Sequence, residues 1–163
     1  MTVVRISKTV MVAAIGLFAS LVAFGNITDY GTNFAFVQHV LSMDTVFPGT
    51  SIGYRAVTNP SLHHAAYMTI IAVEVIVAGL CWFGAARMFR QIGMSAAAFN
   101  RSKGAAVAGL TLGFLIWQVG FMSIGGEWFG MWMSQQWNGV PSAFRFAVTT
   151  IAVLIYVVMP DRD

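Results

Sequence analysis

Apolar residues arrive along this chain in long runs, and polar residues break the runs at intervals. Four runs stand out, at 10–27, 62–86, 105–124 and 142–159. A helix needs about 20 apolar residues to cross a hydrocarbon layer of about 30 Å. The first three runs meet that length, and the fourth does when its ends at Pro141 and Pro160 are counted. The pattern predicts an all-α fold, a four-transmembrane-helix bundle that forms a single integral membrane domain over 1–163. Asn59-Pro60 suits a helix start, because Asn caps well and Pro is preorganised for the first helical position. Pro141-Ser142, after the turn signal Asn138-Gly139, reads the same way.

The breaks carry structure of their own. The inner connection, 88–103, is short and polar, and residues 95–99 suit a surface helix. The first outer connection, 26–60, exceeds the 12–15 residues at which structureless loops become uncommon, so it is expected to fold. Asn33 would cap a helix over 34–43 whose Phe34, Val37 and Leu41 share a face, and Phe47-Pro48-Gly49 would end it. The second, 125–139, holds Trp128, Phe129, Trp132 and Trp137. If it is helical, Phe129, Met133 and Trp137 form a stripe. Such a segment would lie in the headgroup layer and cover the bundle mouth. Both outer loops are thus expected to hold interfacial helical segments.

Composition agrees. The chain is 58% hydrophobic and 9% charged, against about 25% charged in soluble domains. Of the nine Lys and Arg residues, Arg5, Lys8, Arg87, Arg90, Arg101, Lys103 and Arg162 fall on one side of four crossings, and Arg55 and Arg145 on the other. By the positive-inside rule both termini are cytoplasmic. The net charge of +3 is then topological, and no nucleic-acid partner is expected. Arg5, Lys8 and Ala23-Phe24-Gly25 also fit a cleavable signal peptide, but the apolar run exceeds the usual 7–15-residue core, so a retained span is the reading. Cys81 stands alone, a packed hydrophobe with no intrachain disulfide to make. Small residues on span one (Ala13, Gly16, Ala19, Ser20, Ala23) and span three (Ala105, Gly109, Gly113) would let helices approach closely, within this bundle or against a partner.

Glu74 is the residue that needs explaining. No other charged side chain lies between Arg55 and Arg87. An ionised carboxylate at that depth costs roughly 2.5–3.5 kcal/mol on insertion scales. His63, Tyr67, Ile70 and Glu74 share one helical face, with Glu74 roughly 16 Å below His63 at 1.5 Å per residue. Such a face suits a proton or cation path. The plainer alternative is a protonated Glu74 hydrogen-bonded to Thr111, Thr149 or Thr150. The intramembrane candidates are therefore Glu74, Tyr67, Thr111, Thr149 and Gln118, the last beside Trp117. A second group gathers at the outer mouth: His63, His64, Glu127, Arg145 and Trp128, with Glu127 and Arg145 placed to pair near Asp29 and Arg55. His63 and His64 point about 100° apart on a helix, so they do not readily grip one metal, even with His39. No second span carries a His for a bis-His haem. No catalytic triad spacing, zinc motif or phosphate loop is present, so no enzyme, metal or cofactor is expected.

Four stretches carry a family resemblance: Asn26-Ile-Thr-Asp-Tyr-Gly-Thr-Asn-Phe34, Phe36-Val-Gln-His-Val-Leu-Ser-Met-Asp44, Leu62-His-His-Ala-Ala-Tyr67, and the run from Gly125 through Glu127-Trp128-Phe129 to Gly139. On them the chain resembles the bacterial family of predicted small integral membrane proteins, a domain of unknown function. The resemblance implies a four-span protein of the Gram-negative inner membrane and brings no activity, ligand or catalytic residue. With no soluble module, the chain reads as a non-enzymatic accessory or scaffold subunit of a larger membrane complex. Its partners would be the lipid bilayer and a membrane protein or a second copy. The alternatives are a small proton, ion or solute transport unit using Glu74, and a quinone- or haem-associated redox anchor near His63, His64 and Trp128. Reporter fusions after Arg55 and after Trp132 should read on one side of the membrane, and a fusion after Arg101 on the other.

Overall fold

The polar breaks set the helix ends in the computed structural model, which describes residues 2–162. Six helices follow in order: α1 (Thr2–Thr28), α2 (Tyr30–Ser42), α3 (Pro60–Arg90), α4 (Ala96–Ser102), α5 (Gly104–Leu115) and α6 (Val140–Val158). A π-helical stretch, Ile116–Trp128, prolongs α5. Four helical segments are long and apolar enough to cross a membrane: Thr2–Thr28, Pro60–Arg90, Ala96–Trp128 and Val140–Val158. No strand occurs among the described residues.

Local chemistry accounts for most ends. Asn59 Oδ1 accepts from the Ser61 N–H at 2.9 Å, with Pro60 next in line. Ser95 caps α4 by accepting from the Ala98 N–H at 3.3 Å. In the first outer connection the helix starts earlier than Asn33. Asp29 takes the cap position, and Asn33 instead donates to the Asp29 carbonyl at 3.0 Å from inside α2. In the second connection the Phe129, Met133 and Trp137 stripe does not form. Gly130, at φ +67°, ends the π-helical stretch, and only a 3-10 turn, Met131–Met133, follows.

α1 packs along α3, α3 on α5, and α5 on α6, which returns to α1 and to the π-helical stretch. Small residues set the spacing. A Cβ on Gly84 would stand 2.5 Å from the Ala106 backbone nitrogen, and one on Gly109 would stand 2.9 Å from Leu80 Cβ. Gly16 lies likewise against Cys81, which is fully buried. The close face of α5 therefore runs through Ala106, Gly109 and Gly113, one residue round from Ala105, which is only half-buried.

The end that holds both termini is closed by ions. Lys8 and Lys103 both reach Asp161 Oδ2, at 2.8 and 2.6 Å, and all three side chains are buried. Both lysines also donate to the Met159 carbonyl, at 2.6 and 2.9 Å. Asn100 brackets the Asp161 backbone, donating to its carbonyl and accepting from its N–H, each at 3.0 Å. Arg5 donates to the Ile92 carbonyl at 3.1 Å. Three of the basic residues that look purely topological in the sequence thus tie α1, α4, α5 and the tail of α6 together. Burial pushes the Asp161 carboxyl up, but hydrogen bonds from Lys103 and Lys8 and their charges outweigh it, holding the group below the usual carboxylate range.

Two outcomes follow from this packing. Gly84→Val should destabilise the bundle by about 1–3 kcal/mol through overpacking, read as a lower midpoint of thermal unfolding in detergent. A depressed native pKa contributes stability that is fully present above the unfolded value of about 3.9 and is lost as pH falls through the lower native value. Thermal stability should therefore decline on acidification below about pH 4, and Asp161→Asn should flatten that decline while lowering stability at neutral pH.

Candidate functional site

Glu74 sits halfway along α3 and is 3% exposed. Because α1 packs along α3, the last turns of α1 come level with it. Asn26 Nδ2 donates to Glu74 Oε2 at 2.7 Å. Tyr67, two turns before Glu74 on α3, donates its hydroxyl to the Asn26 carbonyl at 3.0 Å, with Asn26 Oδ1 at 3.3 Å. The side-chain amide lies with its oxygen toward the hydroxyl and its nitrogen donating to the carboxyl.

These three residues line a cavity of about 320 Å³. Phe36, Trp117, Phe121 and Phe146 contribute its aromatic surface, and Asn33, Asn138 and Ser142 add polar groups from the mouth end. On the other side of Glu74 only a gap of about 10 Å³ remains, lined by Val77, Gly113 and Thr150 among others. The open space therefore reaches Glu74 from the mouth, and the packed core lies beyond it.

Of the intramembrane candidates, the fold brings Tyr67 and Glu74 together through Asn26 and leaves the rest apart. Thr111 is exposed, because the neighbouring Gly109 and Gly113 turn the opposite face of α5 inward. Thr149 is also exposed and donates to the Arg145 carbonyl at 2.8 Å, whereas Thr150, about 100° round the helix, is buried beside Glu74. Gln118 is half-buried on the π-helical stretch, and its neighbour Trp117 faces the cavity instead.

The outer-mouth candidates do not converge. His63 is buried and its Nε2 donates to the Val57 carbonyl at 2.6 Å, fastening the first connection to α3. His64 is exposed, stacks on Phe34 at 4.1 Å and shares a 2.7 Å hydrogen bond with the Tyr30 hydroxyl, fastening α2. The expected Glu127–Arg145 pair is not formed. Glu127 is exposed, and Arg145 donates to Ser142 Oγ at 2.9 Å. The wider π-helical turn advances fewer degrees per residue, so Glu127 is carried off the line an α-helix would give it. Trp128 lies under the Arg55 guanidinium at 4.6 Å, and Arg55 donates to its carbonyl at 3.2 Å. Among the described residues no three His, Cys, Asp or Glu side chains gather as a metal-ligand set.

Asn26 is the site residue that the pattern alone passes over. Its signal was a strong polar side chain at the end of an apolar run, in the first of the stretches that carry the family resemblance. Asp161 is its counterpart at the other end, unreadable until the tail of α6 folds back.

A family model described as predicted small integral membrane protein (DUF2165) matches residues 4–160. No curated protein and no solved structure matches the chain.

Asn26→Leu removes the donor to a buried carboxyl and should cost about 1–3 kcal/mol in thermal stability. Thr111→Val and Thr149→Val, on exposed faces, should stay within about 0.5 kcal/mol of wild type.

Proposed function

Because this chain belongs to the family of predicted small integral membrane proteins, we propose that it is a non-enzymatic accessory subunit, docking within the bilayer against a larger membrane protein. The support is the outward face of α3. Ala65, Ala72, Gly79 and Ala86 recur every seven residues and all are exposed. A Cβ added to Gly79 would meet nothing within 4 Å. A seven-residue period keeps the stripe on one face with a slow drift that a left-handed helix pair follows. Small residues there let a second backbone approach closely, which is how helices associate where lipid is as apolar as protein. Larger apolar residues, among them Met68, Ile76 and Phe83, flank the stripe and are exposed with it. Lipid contact alone has no use for a regular line of small side chains.

The membrane is the bacterial inner membrane in this reading, with both termini in the cytoplasm. Arg87, Arg90, Arg101 and Arg162 lie exposed at that end, which is where the positive-inside rule puts them.

Gly79→Leu tests the docking face. The substitution meets open space within the chain, so the thermal midpoint should hold. Co-purification after mild solubilisation should lose a partner that wild type retains. A wild-type chain recovered only as a free monomer, or a Gly79→Leu chain with an unchanged partner, would contradict the proposal.

A further inference from the structure

The cavity above Glu74 is not used by the docking face on the other side of α3, and its chemistry points to a ligand. We propose that it binds a small organic cation, an ammonium ion with an apolar or aromatic body, with Glu74 as the counter-ion. Glu74 is the one acidic group that lines the cavity, and no Lys, Arg or His among the described residues lines it. Asn26 supplies a hydrogen bond to Oε2, and the other carboxyl oxygen has no donor among the described residues. A buried carboxyl with a bare oxygen at the floor of a roomy cavity calls for a donor that carries positive charge. The walls agree with that charge. Trp117 stands 4.8 Å from Phe121 and 4.8 Å from Phe146, ring centroid to centroid, and Phe36 completes the aromatic surface. Aromatic faces attract ammonium ions within about 6 Å and accept apolar groups equally well. At about 320 Å³ the space lies at the small end of ordinary ligand pockets. The core closes beyond Glu74, so the cation enters and leaves by the mouth.

The proposal stands apart from the docking reading and is tested on the isolated full-length chain. The detergent-purified protein is titrated at neutral pH with 2-phenylethylamine and, separately, with its neutral counterpart 2-phenylethanol, following tryptophan fluorescence. The amine should bind and the alcohol should bind at least tenfold more weakly. Glu74→Gln keeps an acceptor for Asn26 and should cut amine affinity at least tenfold while leaving the alcohol unchanged. A second measurement needs no variant. A hydrophobic carbodiimide should label Glu74, read by peptide mass, and the saturating tertiary amine N,N-dimethyl-2-phenylethylamine, which keeps a charged N–H donor but forms no amide with the activated carboxyl, should block that labelling while the alcohol does not. Equal binding of amine and alcohol, no amine binding, undiminished binding by Glu74→Gln, or labelling indifferent to the amine would each overturn the assignment.

Discussion

A carboxyl set among apolar helices must take its hydrogen bonds from the protein, because hydrocarbon offers none. In this chain Asn26 meets that demand at one oxygen of Glu74. The contact fixes much of the rest. It requires α1 to run the full length to Thr28 and to lie along α3 in one register. It requires Tyr67 to hold the Asn26 amide from the mouth side. α2 can then fold back over α3, where Tyr30 and Phe34 meet His64 and Tyr67. The cavity is the space left between this polar chain and the π-helical stretch.

The two ends of the bundle answer the same constraint differently. At the terminal end, Lys8, Lys103 and Asp161 neutralise one another in a buried cluster, and Gly84 and Gly109 draw α3 and α5 together just beneath it. Packing around the cluster is tight, and the space at this end, about 330 Å³ lined by Arg87, Arg90 and Arg101, lies between α3 and α4. Removing one member of such a cluster strands the others, so it is costly to break even though a buried ion pair adds little net stability. At the mouth end the polar groups are dispersed over loops, the π-helical stretch widens the helix, and space remains.

The sequence was a good guide wherever one helix face or one local signal decided the outcome. The four apolar runs, the Asn59-Pro60 start, the Ser95 cap and the buried Cys81 all follow from residues within a turn or two. The shared face of His63, Tyr67, Ile70 and Glu74 is legible too: Ile70 is half-buried and the other three are buried. What escaped depended on residues distant in the chain or on a change of helix type. Asn26 reaches Glu74 across 48 positions, and Lys8 reaches Asp161 across 153. The turn that carries Glu127 away from Arg145 is π-helical, and no residue pattern announced it. Depth alone points to Thr111 and Thr149, whereas azimuth decides what a helical residue faces.

The Asn26–Glu74 contact can be measured as a coupling energy. Asn26→Leu, Glu74→Leu and the double variant form a thermodynamic cycle on the stability of the detergent-solubilised chain. A hydrogen bond to a buried carboxyl should give a coupling of at least about 1 kcal/mol, the double variant being less damaged than the sum of the singles. Additivity within about 0.3 kcal/mol would show that the two side chains do not meet, and the register of α1 on α3 would fall with them.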